Sequence, residues 1–308
     1  MHAPLAATAA DARFARLAAE EWAWRLGEFP QLATSVGDAS HDDRLERVDA
    51  ASRAARLARW HATRAALAAI PLDAMSPAAR IDRAVYENQL HGLIAAIESH
   101  ADRMPLNSDS SFHGPLVDLC DAQPLRDVAD YRRFLARLGD IPRFMAEHVA
   151  LMREGLATGY TVPQVVLEGR DRPLAAIAAT TDPAAPPFWE PFAGFPPGVP
   201  AAAQAGLREA ARSVLGCRVL PGYRGLLAFL RYTRYGLAMR ATAIDQEAAL
   251  AMGIKISTVY ALAWGISGAI ATIGGIFLSA GAGNPAFDVG LGQAALVAFP
   301  AIILGGLD

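Results

Sequence analysis

From Ile256 to Phe287 the chain carries no Asp, Glu, Lys or Arg, although such residues make up 19% of the whole. Only eight of them lie from Arg231 onward, so a charged first part gives way abruptly to an apolar last part. The stretch Ile256–Ala280, about 25 residues at about 1.5 Å each, gives about 37 Å of helix, enough to cross a hydrocarbon layer of about 30 Å with some tilt. Within it Ser267, Ala271, Gly275 and Ser279 recur at every fourth position and form a stripe of small side chains. Such a stripe lets a second helix approach closely where lipid supplies no hydrophobic drive. A second apolar segment, Val289–Leu307, is interrupted by Pro300 and by Gly290, Gly292, Gly305 and Gly306, and a straight span is less clearly written there. Arg231, Arg234, Arg240 and Lys255 precede the first segment and Asp288 follows it, so the positive-inside rule expects the N-terminal part in the cytoplasm.

The 308 residues suit two domains, and the first 230 are enough to bury a core of their own. A net charge of -3 offers no basic field for nucleic acid. Cys120 and Cys217 stand far apart, outside any C-x-x-C spacing, and read as idle or buried thiols. The first ten residues lack a basic start and Arg13 follows soon after, so no signal peptide is expected.

The first part reads as successive helices. Apolar residues recur at three-to-four spacing in Phe14, Leu17, Ala18 and Trp22, and again in Leu57, Trp60, Ala65 and Leu67. Ser76 before Pro77 predicts a capped helix running toward His100, and Pro142 and Pro163 mark further possible starts. Between Thr180 and Pro200 seven prolines interleave with Phe188, Trp189, Phe192 and Phe195; a surface connection pinned to the core by its aromatics is expected rather than a regular helix. A last helix begins near Ala201, with a break at Pro221, and no run alternates as a strand would.

Several segments of this part, Arg80 to Tyr86, Met104 to Asn107, Val128 to Tyr131 with Pro142 to Phe144, Arg153 to Gly155 with Thr161 to Pro163, and Val219 to Tyr223 through Leu230, resemble the N-terminal half of a bacterial helical, metallopeptidase-like family, domain of unknown function 885. The resemblance implies a zinc motif, a His-Glu pair followed by Pro-Gly-His, in the other half of such proteins. Zinc hydrolysis needs ligands on one face and a carboxylate beside the metal-bound water, and this chain has no H-E-x-x-H or equivalent. Glu87 with His91, Glu147 with His148, His41 beside Asp42 and Asp43, and His113 near Asp109 are the remaining local groupings, and each reads more simply as a solvated pair or a cap. Ser110-Ser111 lacks an elbow motif. The expectation is therefore no catalytic residue, no metal ligand and no cofactor.

The last part, from Thr233 to Ala243 with Asp245, Ala248-Ala249 and Met252 to Ile254, resembles the permease subunit of bacterial branched-chain amino acid ABC transporters, and Leu304 to Asp308 resembles a later segment of that family. Arg240, Asp245, Glu247, Ala248, Ala249 and Gly253 then correspond to the loop by which such permeases couple to their ATPase. A short helix with a charged start and an alanine-rich face suits a groove on a partner, and Gly253 allows a turn back to the membrane. The resemblance implies an ABC ATPase subunit, a second permease subunit and a lipid bilayer as partners, and the bacterial inner membrane as location. The sequence is thus expected to be mainly α: residues 1–230 a helical domain without the zinc motif, and residues 231–308 one or two transmembrane helices of a partial permease. A fusion or truncation of two neighbouring frames, not transport-competent alone, accounts for both parts. The alternatives are an inactive metallopeptidase-like hydrolase relative and a membrane-tethered helical binding module.

Overall fold

The computed structural model describes residues 8–107, 111–162, 169, 171–185 and 187–232. The chain divides into two units, Met1–Ala243 and Ile244–Asp308, and all described residues belong to the first. Both apolar segments, the small-residue stripe and the coupling-loop residues therefore lie outside the described residues. Among the described residues no helix is long and apolar enough to cross a membrane.

The described unit is built from α-helices, and its only β feature among described residues is an isolated bridge between Leu106 and Ser111. Helix α1 (Ala9–Glu28) opens on a capping box in which Thr8 and Asp11 satisfy each other's backbone N–H groups. The short α2 (Pro30–Ser35) comes next, then α3 (Ala50–Ala68) and α4 (Pro77–Glu98). Helix α4 starts where the Ser76-Pro77 pair predicts, the Ser76 hydroxyl accepting from the Ala79 N–H. Helices α1, α3 and α4 enclose a first core of Phe14, Trp60, Leu67, Ile70, Met75, Leu90 and Ile94.

The face that α1 buries is rotated from the expected one. Trp22 is 40% exposed, whereas Glu21 is buried. Glu21 is tolerated inside because it receives Arg25 in a bidentate pair, the Trp60 indole N–H at 3.0 Å and the Tyr86 hydroxyl at 3.2 Å. Likewise α3 turns Trp60 and Leu67 inward as expected but leaves Ala65 exposed.

A second, larger core surrounds α6 (Val128–Thr158), a 31-residue helix about 46 Å long. Pro142 lies inside α6 and does not begin a helix there. The proline removes one N–H from the ladder, but the buried stripe Leu138, Ile141, Phe144, Met145, Leu151 and Met152 continues on both sides, and packing outweighs the local cost. Around α6 stand α5 (Pro115–Ala122), α7 (Asp171–Ala178), α8 (Glu190–Ala193), α9 (Ala201–Val214) and α10 (Leu220–Tyr232).

The proline-dense stretch is fixed by its aromatics: Phe188 and Phe192 are fully buried, and the Tyr131 hydroxyl donates to the Pro191 carbonyl at 2.8 Å. The dense prolines do admit short helical turns there, Pro187–Trp189 and α8, because proline is compatible with a first turn. At Pro221 the chain stays helical. A π-helical segment, Leu215–Val219, joins α9 to α10, and its widened turn absorbs the donor and the space that Pro221 takes away.

Candidate functional site

Between α2 and α3 runs the passage Asp42–Asp49, outside regular structure, whose Leu45 belongs to the larger core. Its backbone is held by side chains of α6: the Leu45 N–H donates to Asp140 at 3.0 Å, the Val48 N–H donates to Glu147 at 2.8 Å, and Arg143 donates to the carbonyls of Leu45 and Glu46 at 3.1 Å each. Leu45 and Val48 turn into the protein, and Glu46 and Arg47 between them line a cleft. Opposite, Arg137 of α6 is fully buried and donates to Thr34, Gln123, Asp42 and the carbonyls of Arg44 and His41. Every part of its fork has an acceptor, so it anchors the passage instead of facing a ligand.

The cleft, about 580 Å³, falls within the roughly 300–1,000 Å³ common to small-molecule sites. Its wall comes from the end of α1 (Gly27, Glu28), the passage (Asp43 to Arg47), Arg56 of α3, Asp140 and Arg143 of α6, and Arg218 of the π segment. Most of these charges satisfy one another. Arg56 pairs with Glu28 at 2.9 Å, Arg143 pairs with Asp140 and, at 2.9 Å, with Glu147, and Arg47 reaches Glu147 at 2.9 Å. Burial pushes the Asp140 carboxyl up, but the hydrogen bonds from Arg143 and the Leu45 N–H outweigh it and hold it below the ordinary carboxylate range.

Two groups are left over. The Glu46 carboxylate has no hydrogen bond or ion pair among the described residues; burial pushes its pKa up, against the pull of Arg56 and Arg143. Arg218 has no carboxylate partner among the described residues and donates only to the Gly139 carbonyl, at 3.0 Å. Gly139 adjoins the carbonyl that Pro142 leaves without a helical donor, and it has no side chain to shield its own oxygen from the cleft.

The histidine groupings separate in the fold. Glu147 serves the passage, while His148, its neighbour, is buried, hydrogen-bonds the Phe144 carbonyl at 2.9 Å and stacks on Phe112 with 4.1 Å between rings. Burial lowers the pKa of His148 to about 4 and that of His113 to about 4. His41 meets Arg44 at 3.0 Å, and its neighbour Asp42 is taken up by Thr34 and Arg137. Glu87 and His91 share one side of α4 with no bond between them. Among the described residues no three of His, Cys, Asp and Glu come together as metal ligands. Ser111 accepts from the Gly114 N–H, and Asp109 and Ser110 lie outside the described residues. Cys120 donates weakly to the Pro187 carbonyl at 3.7 Å, its thiol pushed up to about 12 by burial, and Cys217 is exposed. No motif marks Glu46 or Arg218 in the sequence; the legible signal near Arg218 is Pro221, which follows the π-helical turn that carries it.

The family described as bacterial protein of unknown function (DUF885) matches residues 30–251, which contain all of this cleft except the end of α1. The chain belongs to DUF885. A second match, to the family described as branched-chain amino acid transport system / permease component, covers residues 224–308 and so overlaps the DUF885 match over 224–251. No curated protein sequence matches the chain. Among solved structures, a protein of Colwellia psychrerythraea designated a lipoprotein is similar at 14% identity with a TM-score of 0.62, over 94% of this chain and 54% of that one. That likeness shows a shared fold, and this DUF885 chain spans about half the length of that solved relative.

Proposed function

We propose that the chain joins a DUF885 helical body to part of a branched-chain amino acid permease, and that it does not transport by itself. The permease match over residues 224–308 carries the reading, because it includes Glu247-Ala-Ala249 and Gly253, the pattern an ATPase partner would engage. The finer steps of the reading come from sequence: Ile256–Ala280 is apolar enough to span, and Ser267, Ala271, Gly275 and Ser279 would pack it against a second helix. One or two spans cannot enclose a conduction path, which needs several helices around a midplane route. The chain would then reside in the bacterial inner membrane with its helical body in the cytoplasm, as the fusion of two neighbouring frames. The body's metallopeptidase-like kinship would carry no hydrolysis.

The test is expression in a bacterium lacking the intact permease. The chain is expected in the inner-membrane fraction, to co-purify with the branched-chain ATPase, to lose that partner on Glu247→Arg, and not to restore leucine uptake. Restored uptake, or a chain that stays in the soluble fraction, overturns the reading.

A second reading concerns the body alone and is favoured by the cleft: a helical binding module whose ligand sits between the two cores. Glu46 left unpaired in a cleft of small-molecule size is the supporting observation.

A further inference from the structure

The charges around the cleft do not cancel at random. Arg56 is spoken for by Glu28, whose carbonyl it also reaches at 3.0 Å, and it lies over the Phe29 ring at 4.4 Å. Arg143 is committed to Asp140, Glu147 and two backbone carbonyls. Arg47 is held by Asp49 and Glu147, and Arg44 by His41, the Gly27 carbonyl and, more distantly, Asp43. Once these pairs are formed, one carboxylate, Glu46, and one guanidinium, Arg218, remain without an opposite charge among the described residues. They reach the cleft from different parts of the chain: Glu46 from the passage pinned to α6, Arg218 from the π-helical turn before Pro221. A widened turn of this kind is a frequent way to place a side chain at a site.

We propose that the cleft binds a small zwitterion of the amino acid or short-peptide class, its ammonium group on the Glu46 carboxylate and its carboxylate on the Arg218 guanidinium. The physical case is one of solvation. Glu46 is half-buried and has no protein donor among the described residues, so an incoming ammonium supplies the charge-assisted hydrogen bonds it lacks. Arg218 uses its fork on one carbonyl only, and a carboxylate can take its remaining donors in pairs. A ligand of a single sign would satisfy one end only, leaving Arg218, which is exposed, or Glu46, which is half-buried, to water. The inference rests on the binding-module reading and is independent of the residues beyond α10.

The test is titration calorimetry of the full chain with L-leucine and with the dipeptide Leu-Ala, each beside its N-acetyl and its C-amide form, and with inorganic phosphate and putrescine as probes of one sign. At least one zwitterion is expected to bind, and blocking either of its ends should weaken it by about tenfold or more. Glu46→Gln should erase the preference for a free amine and leave the preference for a free carboxylate. Arg218→Gln should do the reverse. Both side chains make few bonds, and cooperative melts of the variants, none below that of the parent chain, will confirm that they fold. Equal binding of the N-acetyl form, or a zwitterion whose affinity neither variant changes, overturns the proposal. If phosphate or putrescine binds in a manner sensitive to these substitutions and no zwitterion does, the ligand class is wrong and the binding-module reading stands. If no probe binds, both fall.

Discussion

Arg137 is the clearest case of a residue whose worth lies in what it would leave behind. It is fully buried with Asp42, and both are satisfied by one network that ties α2, α5 and α6 to the passage lining the cleft. Arg137→Met is expected to cost about 3–5 kcal/mol, because Asp42 would be stranded without its counter-charge. Adding Asp42→Asn should recover part of that loss, and urea unfolding of the two variants measures both effects. His113 and His148 make stability depend on pH. Each has a folded pKa lowered from 6.5 to about 4, so the unfolded chain binds more protons between those values. Their contribution is fully present above about pH 6.5, is lost as pH falls toward 4, and amounts to about 3 kcal/mol at most for each. His148→Phe, which keeps a ring against Phe112, should flatten the fall in urea midpoint between pH 7 and pH 4.5. Glu46 works in the opposite sense: its raised folded pKa makes its ionisation a cost that grows as pH rises, and Glu46→Gln should stabilise the protein at pH 7 and lose that advantage in acid.

At the scale of elements, close approaches decide where glycine is required. A Cβ on Gly198 would lie 2.2 Å from the Arg126 carbonyl oxygen, and one on Gly155 would lie 2.5 Å from that of Tyr160. Gly198→Ala is therefore expected to destabilise by about 1–3 kcal/mol, since backbone atoms at that distance must move apart. Gly92, exposed in the middle of α4 with nothing within 4 Å of the added carbon, is the counterpart. Gly92→Ala should stabilise by about 0.5–1 kcal/mol by removing the backbone freedom that glycine loses on folding. Thermal melts of the two variants should move in opposite directions. The same scale explains how α6 and α10 carry their prolines. Gly222 lets α10 approach α6 at Pro142, with the added carbon only 3.3 Å from the Met145 sulfur, and the π segment before Pro221 takes up the irregularity on the other side.

For the whole molecule, the described unit holds two cores, and the passage at Asp42–Asp49, pinned to α6 of the larger one, forms one wall of the cleft. A version ending at Tyr232 is expected to melt cooperatively as a helical protein, because the described residues up to that point already form two cores. A chain that is unfolded by circular dichroism would show that α10 depends on the residues beyond Tyr232. The full chain is also expected to bind no stoichiometric zinc and to cleave no peptide above background. Elemental analysis finding about one zinc per chain, with hydrolysis sensitive to a chelator, would overturn this.

The helical class, the start of α4 at Ser76-Pro77 and the anchoring role of Phe188 and Phe192 were legible in sequence because each depends on signals within a turn or two of the chain. The abrupt loss of charge after Lys255 was legible for the same reason, as a property of composition. Local signals failed where a distant partner changed the balance. Pro142 reads as a helix start, yet the apolar stripe on both sides carries α6 through it, and Glu21 reads as surface until Trp60 and Tyr86 arrive to receive it. The cleft belongs wholly to this second kind. Whether Glu46 is paired depends on Asp140 and Glu147 having already claimed the nearby arginines, and whether Arg218 faces the cleft depends on a π turn some 170 residues further along the chain. A charge is left over only after every other charge has been placed in space, and tertiary structure alone performs that placement.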